Sequence, residues 1–178
     1  MLKKGNSGEL PVTVCSLGDA SVTEGEVSEA FQFAALKQLP IIYLVQDNEW
    51  GISVTSKESR VTDVFNLSVG FEGISRIRIN GDDFVKSYIT MGEVIRTVRK
   101  ERAPFVVQAR VPLLGHHTSG VRKEFYRPKE DLDQHALHDP LPQLKKELLA
   151  QGVAEYEVLK IEEEAKKYVQ QEFEKATI

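Results

Sequence analysis

Short apolar runs alternate with amphipathic helical patterns along the chain, and this alternation restricts the possible folds more than any other feature. The apolar runs cover residues 11–17, 41–45, 74–79 and 104–111, and helical periodicity covers residues 24–38 and 83–100. Such alternation is typical of βα units, whose strands pair in parallel beneath helices. We predict an α/β fold of three layers, a doubly wound and mainly parallel sheet, with its first strand buried on both faces.

The C-terminal part of the sequence is predicted to be helical. Asp139 is a good N-cap before Pro140, which suits the first helical position, and Gly152 is expected to end that helix. Residues 155–175 then place apolar side chains near one face of an amphipathic surface helix. No break in composition divides the chain, so we predict a single domain over residues 1–178 with a helical tail over residues 130–178.

Composition excludes several classes of protein. The chain has 178 residues and a net charge of −4 without a long basic run, so we expect no nucleic-acid partner. The longest apolar run, residues 39–45, is too short to span a bilayer, and polar residues follow the basic start where a secretion signal needs apolar ones. With Cys15 as the single cysteine, we predict no disulfide, a buried thiol and a cytoplasmic location.

Three polar clusters follow predicted strands: residues 18–21, 47–51 and 115–120. Ligands of parallel sheets bind at this edge, because loops and helix N-termini converge there. The small residues of the first cluster admit a phosphate, although Asp19 would repel an anion unless a cation lay between them. Asn48 offers an amide oxygen, and mixed carboxylate, amide, carbonyl and phosphate oxygens are what Mg²⁺ prefers. The third cluster can donate hydrogen bonds to phosphate.

Each cluster also has a simpler interpretation. Gly-Asp pairs and Asp-Asn-x-x-Gly sequences are common in turns, and paired histidines often lie in surface loops. His135 and His138 stand three residues apart near Asp131, which leaves a zinc site conceivable, but no third strong ligand follows at metal spacing. The chain lacks the Gly-x-Ser-x-Gly, Gly-x(4)-Gly-Lys and Gly-x-Gly-x-x-Gly motifs, which disfavours hydrolases, phosphate-loop enzymes and dinucleotide binders.

Several segments together resemble one known family. Residues 17–26, 30–35 and 47–53 resemble the two-part thiamine diphosphate motif of the 2-oxo acid dehydrogenases, Gly-Asp-Gly and then Asn-Asn after one helix and one strand. The resemblance is strongest to the alpha part of the decarboxylating first component, of the branched-chain (2-oxoisovalerate) type. Residues 115–119 and the later pairs Tyr126-Arg127 and Asp139-Pro140 fit the same family. Residues 111–122 also resemble bacterial forms in which alpha and beta parts are fused.

The resemblance implies a set of metal and diphosphate ligands. Asp19 and Asn48 would bind Mg²⁺ through side-chain oxygens, and Trp50 would bind it through its carbonyl oxygen. Ala20 and Ser21 would donate backbone hydrogen bonds to the diphosphate.

The resemblance also assigns roles around the rest of the cofactor. His117 would contact a phosphate oxygen, and Ile52 would line the wall near the aminopyrimidine. His116 and His117 would stabilise charge or relay protons near the lipoyl group, as the catalytic residues of this chain. Thr118 occupies the place of a regulatory phosphoserine in animal relatives, and we expect no such regulation here.

Three positions depart from the family pattern. Ala20 replaces the second glycine, Asp47 replaces the first asparagine, and Gln46 stands where animal branched-chain relatives have a cofactor-contacting arginine. The family's alpha part also has an upstream segment with tyrosine and arginine contacts, which the ten residues before Pro11 do not match. The glutamate that activates the aminopyrimidine comes from the beta part in this family. We therefore expect one half of a split site.

The implied activity is oxidative decarboxylation of a 2-oxo acid, with transfer of the acyl unit to a lipoyl-bearing acyltransferase. Thiamine diphosphate and Mg²⁺ are the implied cofactors, and the beta part is the implied partner, so we expect this chain alone to be inactive. An exposed apolar face is expected where the beta part docks. Two alternatives stay open: a fragment of another thiamine-dependent enzyme, such as a transketolase-like one, and a non-catalytic interaction domain.

Overall fold

The computed structural model describes residues 10–118 and 120–177. A first group of strands and helices, in chain order, is β1 Thr13–Gly18, α1 Gly25–Lys37, β2 Ile41–Asp47, β3 Trp50–Gly51, β4 Val54–Thr55, α2 Ser56–Ser59 and α3 Val64–Leu67. They are followed by β5 Ser75–Asn80, α4 Phe84–Glu101, β6 Phe105–Arg110, α5 Lys129–Leu137, α6 Pro140–Ala150 and α7 Glu155–Ala176. Single 3₁₀ turns cover Ala20–Thr23, Ser68–Gly70 and Lys123–Phe125.

Four parallel strands form the central sheet in the order β1-β2-β6-β5. β2 is an inner strand that pairs with β1 on one side, Thr13 opposite Ile41, and with β6 on the other, Ile42 opposite Phe105. β3 and β4 form a separate antiparallel hairpin just after β2. The carboxyl ends of all four parallel strands therefore lie at one edge of the sheet, as predicted.

Helices cover both faces of this sheet, which confirms the predicted fold class. On one face, Phe31 and Ala34 of α1 pack with Tyr43 and Val45 of β2 and Val106 of β6. On the other face, α4 packs onto the sheet through a second buried set: Val94, Val98, Ile42 and Val107. Alternate residues of β2 and β6 thus face opposite helical layers, because successive side chains of a strand point to opposite faces.

The prediction that the first strand is buried on both faces is wrong. β1 is an edge strand among the described residues, its side chains are exposed or half-buried, and Val14 is 49% exposed. Cys15 is likewise half-buried and free rather than fully buried. Arg99 and Arg102, at the end of α4, donate to the carbonyl oxygens just before β1 at 3.0 and 2.9 Å. Apolar composition alone did not reveal the edge position.

Four short elements were not predicted. The polar cluster at residues 47–51 includes β3, the first strand of the β3–β4 hairpin, and α2 begins with a capping box in which Glu58 accepts from the backbone of Thr55 at 2.9 Å. α3 begins at Asp63, whose side chain accepts from the backbone N–H of Asn66 at 2.9 Å. α5 was also missed. These elements rest on local caps and on tertiary contacts, which leave little periodicity in the sequence.

The chain divides into two compact units, one ending at Asp139 and the other beginning at Pro140. The second unit contains α6, which begins at Pro140 as predicted, and the long helix α7. Within it, the Lys145 ammonium lies 4.0 Å from Glu155 and 3.9 Å from Glu162. None of the helices in the described parts of the chain is long and apolar enough to cross a membrane.

Candidate functional site

The loops after β1 and β2 meet at the carboxyl edge of the sheet. The backbone N–H of Asp19 donates to the carbonyl oxygen of Gln46 at 3.2 Å. A Cβ atom added to Gly51 would lie 2.8 Å from the Cβ of Ala20, closer than real Cβ atoms approach. Both parts of the predicted two-part motif therefore form one site, and the absence of a side chain at residue 51 permits the contact.

Two buried carboxylates lie in this site with one guanidinium between them. Nη2 of Arg60 is 2.5 Å from Oδ2 of Asp19 and 3.1 Å from Oδ1 of Asp47. Asp19 is 4% exposed and Asp47 is 9% exposed. Burial raises the pKa of the Asp19 carboxyl, although the Arg60 guanidinium acts to lower it. The cation that Asp19 requires is supplied in this structure by Arg60.

Asp47, which replaces the first asparagine of the motif, also joins β2 to β6. Its Oδ2 accepts a hydrogen bond from Nε2 of the buried Gln108 at 2.5 Å, and its Oδ1 accepts from the backbone N–H of Glu49 at 3.3 Å. Both of its oxygens are therefore occupied by protein donors, Arg60 included. This carboxylate has a structural role that the sequence did not indicate.

Asn48, Trp50 and Ile52 shape the loop after β2. Oδ1 of Asn48 accepts from the backbone N–H of Trp50 at 3.0 Å, a local turn that fixes the amide next to Asp47. Trp50 is buried. Ile52 has a φ of 59° and is 47% exposed. A β-branched residue rarely adopts this left-handed conformation, so the hairpin turn holds it under strain.

The Trp50 indole anchors the loop to α5 and to the segment before it. Its Nε1 donates to Oδ1 of Asp131 at 3.4 Å, and Asp131 accepts from Nε of the buried Arg127 at 2.6 Å. The Arg127 guanidinium lies 5.4 Å from the indole centre, and the Tyr126 ring centre lies 5.8 Å from it. α5 thus belongs to the wall of the site.

The predicted histidines lie in a separate exposed loop. Nδ1 of His116 accepts from the backbone N–H of Lys123 at 3.2 Å, and the Lys123 ammonium donates to the carbonyl oxygen of Leu114. His117 and Thr118 are exposed. Among residues 10–118 and 120–177, no hydrogen bond or ion pair joins either histidine to Asp19 or Asn48. Ala20 is half-buried and Ser21 is exposed, both in the turn that follows Asp19.

A cavity of about 550 Å³ opens beside this site, between the ends of β5 and β6 and α5. Its lining includes Asn48, Asp82, His135 and His138. Nδ1 of His135 accepts from the backbone N–H of Leu113 at 2.8 Å, whereas Nδ1 of His138 lies 2.6 Å from Oδ2 of Asp82. The two histidines therefore have separate partners. No cluster of three metal-binding His, Cys, Asp or Glu side chains exists within the described chain.

The residues at the meeting loops fit a hard divalent cation in their donor chemistry. Asp19, Asn48 and Trp50 lie in the two meeting loops, and carboxylate, amide and backbone carbonyl oxygens such as theirs are of the kind that suits Mg²⁺. Two buried carboxylates also need positive charge to be stable. Arg60 provides that charge in this structure, so a metal ion would share or take its place on Asp19.

The comparisons with known proteins identify the family of this chain. The family model of the dehydrogenase E1 component matches residues 3–178, almost the entire chain. This chain belongs to the dehydrogenase E1 component family. The family resemblance carried by the motif residues is therefore confirmed, and it disfavours a transketolase-like origin.

Several E1 alpha subunits are similar to this E1 chain. The 3-methyl-2-oxobutanoate dehydrogenase subunit alpha of Mycobacterium tuberculosis is 34% identical over 80% of this chain and 39% of its own length. The pyruvate dehydrogenase E1 component subunit alpha of Rickettsia bellii is 30% identical over 89% of this chain and 48% of its own. The mitochondrial 2-oxoisovalerate dehydrogenase subunit alpha of Mus musculus is 30% identical over 93% of this chain and 38% of its own length. The chain spans less than half the length of these relatives.

Four residues around these loops were not predicted as site residues, although two of them, Arg127 and Asp131, had been noted in the sequence: Arg60, Gln108, Arg127 and Asp131. Arg60 is 41 residues from Asp19, and Gln108 is 61 residues from Asp47, so no local pattern links the partners. Arg127 and Asp131 stand four residues apart, a spacing that suits a helical ion pair. That pair was the only one with a usable sequence pattern.

Proposed function

We propose that this E1 chain provides the diphosphate- and metal-binding half of a split active site in a thiamine diphosphate-dependent 2-oxo acid dehydrogenase. The observation that carries the proposal is the contact between the two motif loops, in which the Asp19 N–H bonds to Gln46 and Gly51 lies against Ala20. A motif that is divided by a helix and a strand in the sequence is brought to one point of the sheet edge. The family membership supports the same conclusion.

Asp19, Asn48 and the carbonyl oxygen of Trp50 would hold Mg²⁺ in this proposal, and the backbone of Ala20 and Ser21 would contact the diphosphate. Thiamine diphosphate supplies the electron sink that decarboxylation needs, which no amino-acid side chain offers. The protein groups bind and orient the cofactor and set the charge around it. The bond from the buried Trp50 indole to Asp131 supports the proposal, because it fixes the loop that carries Asn48 and the Trp50 carbonyl.

Ile52 would form part of the wall near the aminopyrimidine, and His117 would contact a phosphate oxygen. The exposed loop that carries His116 and His117 would have to approach the metal site for this contact, with both imidazoles near the lipoyl group. The substrate would be a 2-oxo acid, of the branched-chain or pyruvate type that names the relatives. The acyl unit would pass to a lipoyl-bearing acyltransferase.

The beta part is the proposed partner that completes the site. Apolar side chains on the first half of α4 are exposed, as expected for a surface covered by another polypeptide: Phe84, Val85, Tyr88 and Ile89. Because a beta part would supply the activating glutamate, the chain alone should bind the cofactor without catalysing decarboxylation.

Calorimetric titration of thiamine diphosphate, with and without Mg²⁺, tests the proposal. We expect binding that depends on Mg²⁺ and is lost in Asp19→Ala and Asn48→Ala. Glu101→Gln is the matched control, because Glu101 ends α4 next to Arg102, which contacts the start of β1 at the opposite edge of the sheet, so it should leave binding unchanged.

A second titration contains the complementary beta polypeptide. Binding that appears only then would support a site formed on assembly. Absence of Mg²⁺-dependent binding in both titrations would contradict the proposal and favour a non-catalytic interaction domain with the same fold.

A further inference from the structure

The Arg60 guanidinium lies between the carboxylates of Asp19, a proposed metal ligand, and Asp47. A single nitrogen, Nη2, contacts both carboxylates, at 2.5 and 3.1 Å. The Arg60 side chain is only 10% exposed, and the Asp19 side chain 5%. This ion pair is therefore shielded from water, and its strength differs from that of an ordinary surface salt bridge.

The two carboxylates need this positive charge. Buried carboxylates without a compensating cation are costly, and two of them close together repel each other as well. Asp47 has further donors in Gln108 and in the backbone N–H of Glu49. Within the described chain, the Asp19 carboxylate accepts a hydrogen bond from no side chain other than Arg60, so it depends most on Arg60.

The guanidinium is not fully satisfied in this position. Nη1 of Arg60 is buried and has no hydrogen-bond partner among the described residues. A planar guanidinium usually binds a carboxylate with two parallel hydrogen bonds, whereas Nη2 here serves two carboxylates alone. The arrangement holds charge between Asp19 and Asp47 but leaves part of the guanidinium unpaired, which favours exchange for another cation.

We propose that Arg60 is the resident counter-ion of this site and that a divalent cation must displace it from Asp19 in order to bind. The inference rests on the proposed function for the location of the metal site. It adds that metal binding is a competition between Mg²⁺ and a side chain of the same chain. Metal affinity is then weaker than the donor set alone allows, because binding includes the loss of the Arg60–Asp19 pair.

Calorimetric titration of the full chain with Mg²⁺ alone, without thiamine diphosphate, measures this competition. We expect Arg60→Gln to bind Mg²⁺ at least about tenfold more tightly than the wild type, since two carboxylates lose their protein cation. Arg60→Lys keeps a positive charge and should stay close to the wild type. The double variant Asp19→Asn with Arg60→Gln should lose the gain.

Arg78→Gln is the matched control. Arg78 pairs with Asp63 at 2.7 Å and with neither Asp19 nor Asp47, so its removal should leave the affinity for Mg²⁺ nearly unchanged. An equal Mg²⁺ affinity in the wild type and in Arg60→Gln, or no binding to either, would overturn the proposal. The proposed function fails separately, if thiamine diphosphate does not bind in the presence of Mg²⁺ with or without the beta polypeptide.

Thermal unfolding gives a second readout, which applies even if the metal-free variant is destabilised. Without metal, Arg60→Gln should melt at a lower temperature than the wild type, and Mg²⁺ should raise its melting temperature more than that of the wild type. Sodium chloride at equal ionic strength should not reproduce this rise. If Arg60→Gln is unfolded with and without Mg²⁺ while Arg60→Lys behaves as the wild type, the cation in this position cannot be exchanged, and the proposal is wrong.

Discussion

Ile52 adopts a strained backbone conformation that lowers the stability of the folded protein. Its φ of 59° lies in a region that glycine and asparagine tolerate and β-branched residues avoid. The turn between β3 and β4 holds this conformation beside the loop that we propose as the cofactor site. Strain of this kind persists at positions where the side chain itself is needed.

Ile52→Asn should therefore stabilise the protein by about 1 kcal/mol, because the strain of the left-handed turn is removed. The same variant should bind Mg²⁺-thiamine diphosphate more weakly, because it removes the apolar wall. Chemical denaturation and calorimetry measure the two effects. Val61→Asn is the control, since Val61 is fully exposed and has no positive φ. Unchanged stability in Ile52→Asn would contradict the assignment of strain.

His135 should make stability dependent on pH. Burial lowers the pKa of His135, and the nearby Arg127 acts in the same direction. The neutral ring accepts from the backbone N–H of Leu113 through Nδ1, a bond that protonation at this nitrogen would break. Because the folded state has the lower pKa, this contribution is complete above the unfolded value near 6.5 and is lost as the pH falls through the folded value.

The expected result is a free energy of unfolding that decreases between about pH 7.5 and pH 5.5. His135→Asn places an amide oxygen near the position of Nδ1 without a titrating group. This variant should show a smaller decrease over the same range, measured by urea unfolding at each pH. Equal slopes for the two proteins would show that His135 does not contribute.

At the scale of elements, β5 and β6 are joined at their ends by a close backbone contact. The N–H of Gly81 donates to the carbonyl oxygen of Arg110 at 2.7 Å. A Cβ at residue 81 would lie 2.8 Å from that oxygen and 2.5 Å from Cγ1 of Val111. The contact positions the neighbouring Asp82 at the cavity, where it meets His138.

Gly81→Ala should lower the free energy of unfolding by about 1–3 kcal/mol, because backbone atoms cannot move aside as a flexible side chain can. Gly70→Ala is the matched control, since no atom lies within 4 Å of a Cβ built at residue 70. Urea denaturation of both variants checks the difference. If Gly70→Ala lost as much stability, the effect of Gly81→Ala would have to come from a general change in chain entropy or turn conformation and not from the contact with Arg110 and Val111.

The elements that could be predicted from the sequence are those with long periodic patterns. The helices α1 and α4 and the inner strands were predicted within a few residues. The apolar residues of the helices repeat about every 3.6 residues, and those of the strands form uninterrupted runs. The hairpin and α2 are too short to show a periodic pattern. The start of α2 could have been recognised only from the capping-box residues Thr55 and Glu58, which an analysis of apolar periodicity does not consider. The exposure of β1 depends on its place in the sheet, which no local pattern contains.

At the scale of the whole molecule, Phe31 links α1 to the sheet and to the segment after α3. It is completely buried, with ring centres 4.7 Å from Tyr43 and 5.5 Å from Phe71. Phe31→Ala should lower the free energy of unfolding by about 3–5 kcal/mol, as expected for a large cavity in a core. Phe33→Ala, at a 55% exposed position of the same helix, should cost much less. Equal losses would contradict the assigned core.

The site as a whole was partly predictable. Parallel topology brings strand ends to one edge, so the meeting of the loops around Asp19 and Asn48 followed from the order of the elements. The identity of Arg60 as the partner of Asp19 could not be predicted from the order of the elements, because several cationic side chains could pair with a buried carboxylate. Arg60 reaches it through the short elements that the sequence did not reveal. The position of the histidine loop relative to the metal site stays a prediction.

The contact between Ala20 and Gly51 has an evolutionary consequence. The space between the two loops holds one methyl group, at present on residue 20. A lineage that acquires alanine at residue 51 should first have glycine at residue 20, since the opposite order passes through a crowded intermediate. The two positions are therefore expected to covary among homologues, with the methyl group on either loop but not on both, and the order of substitutions constrained by the fold.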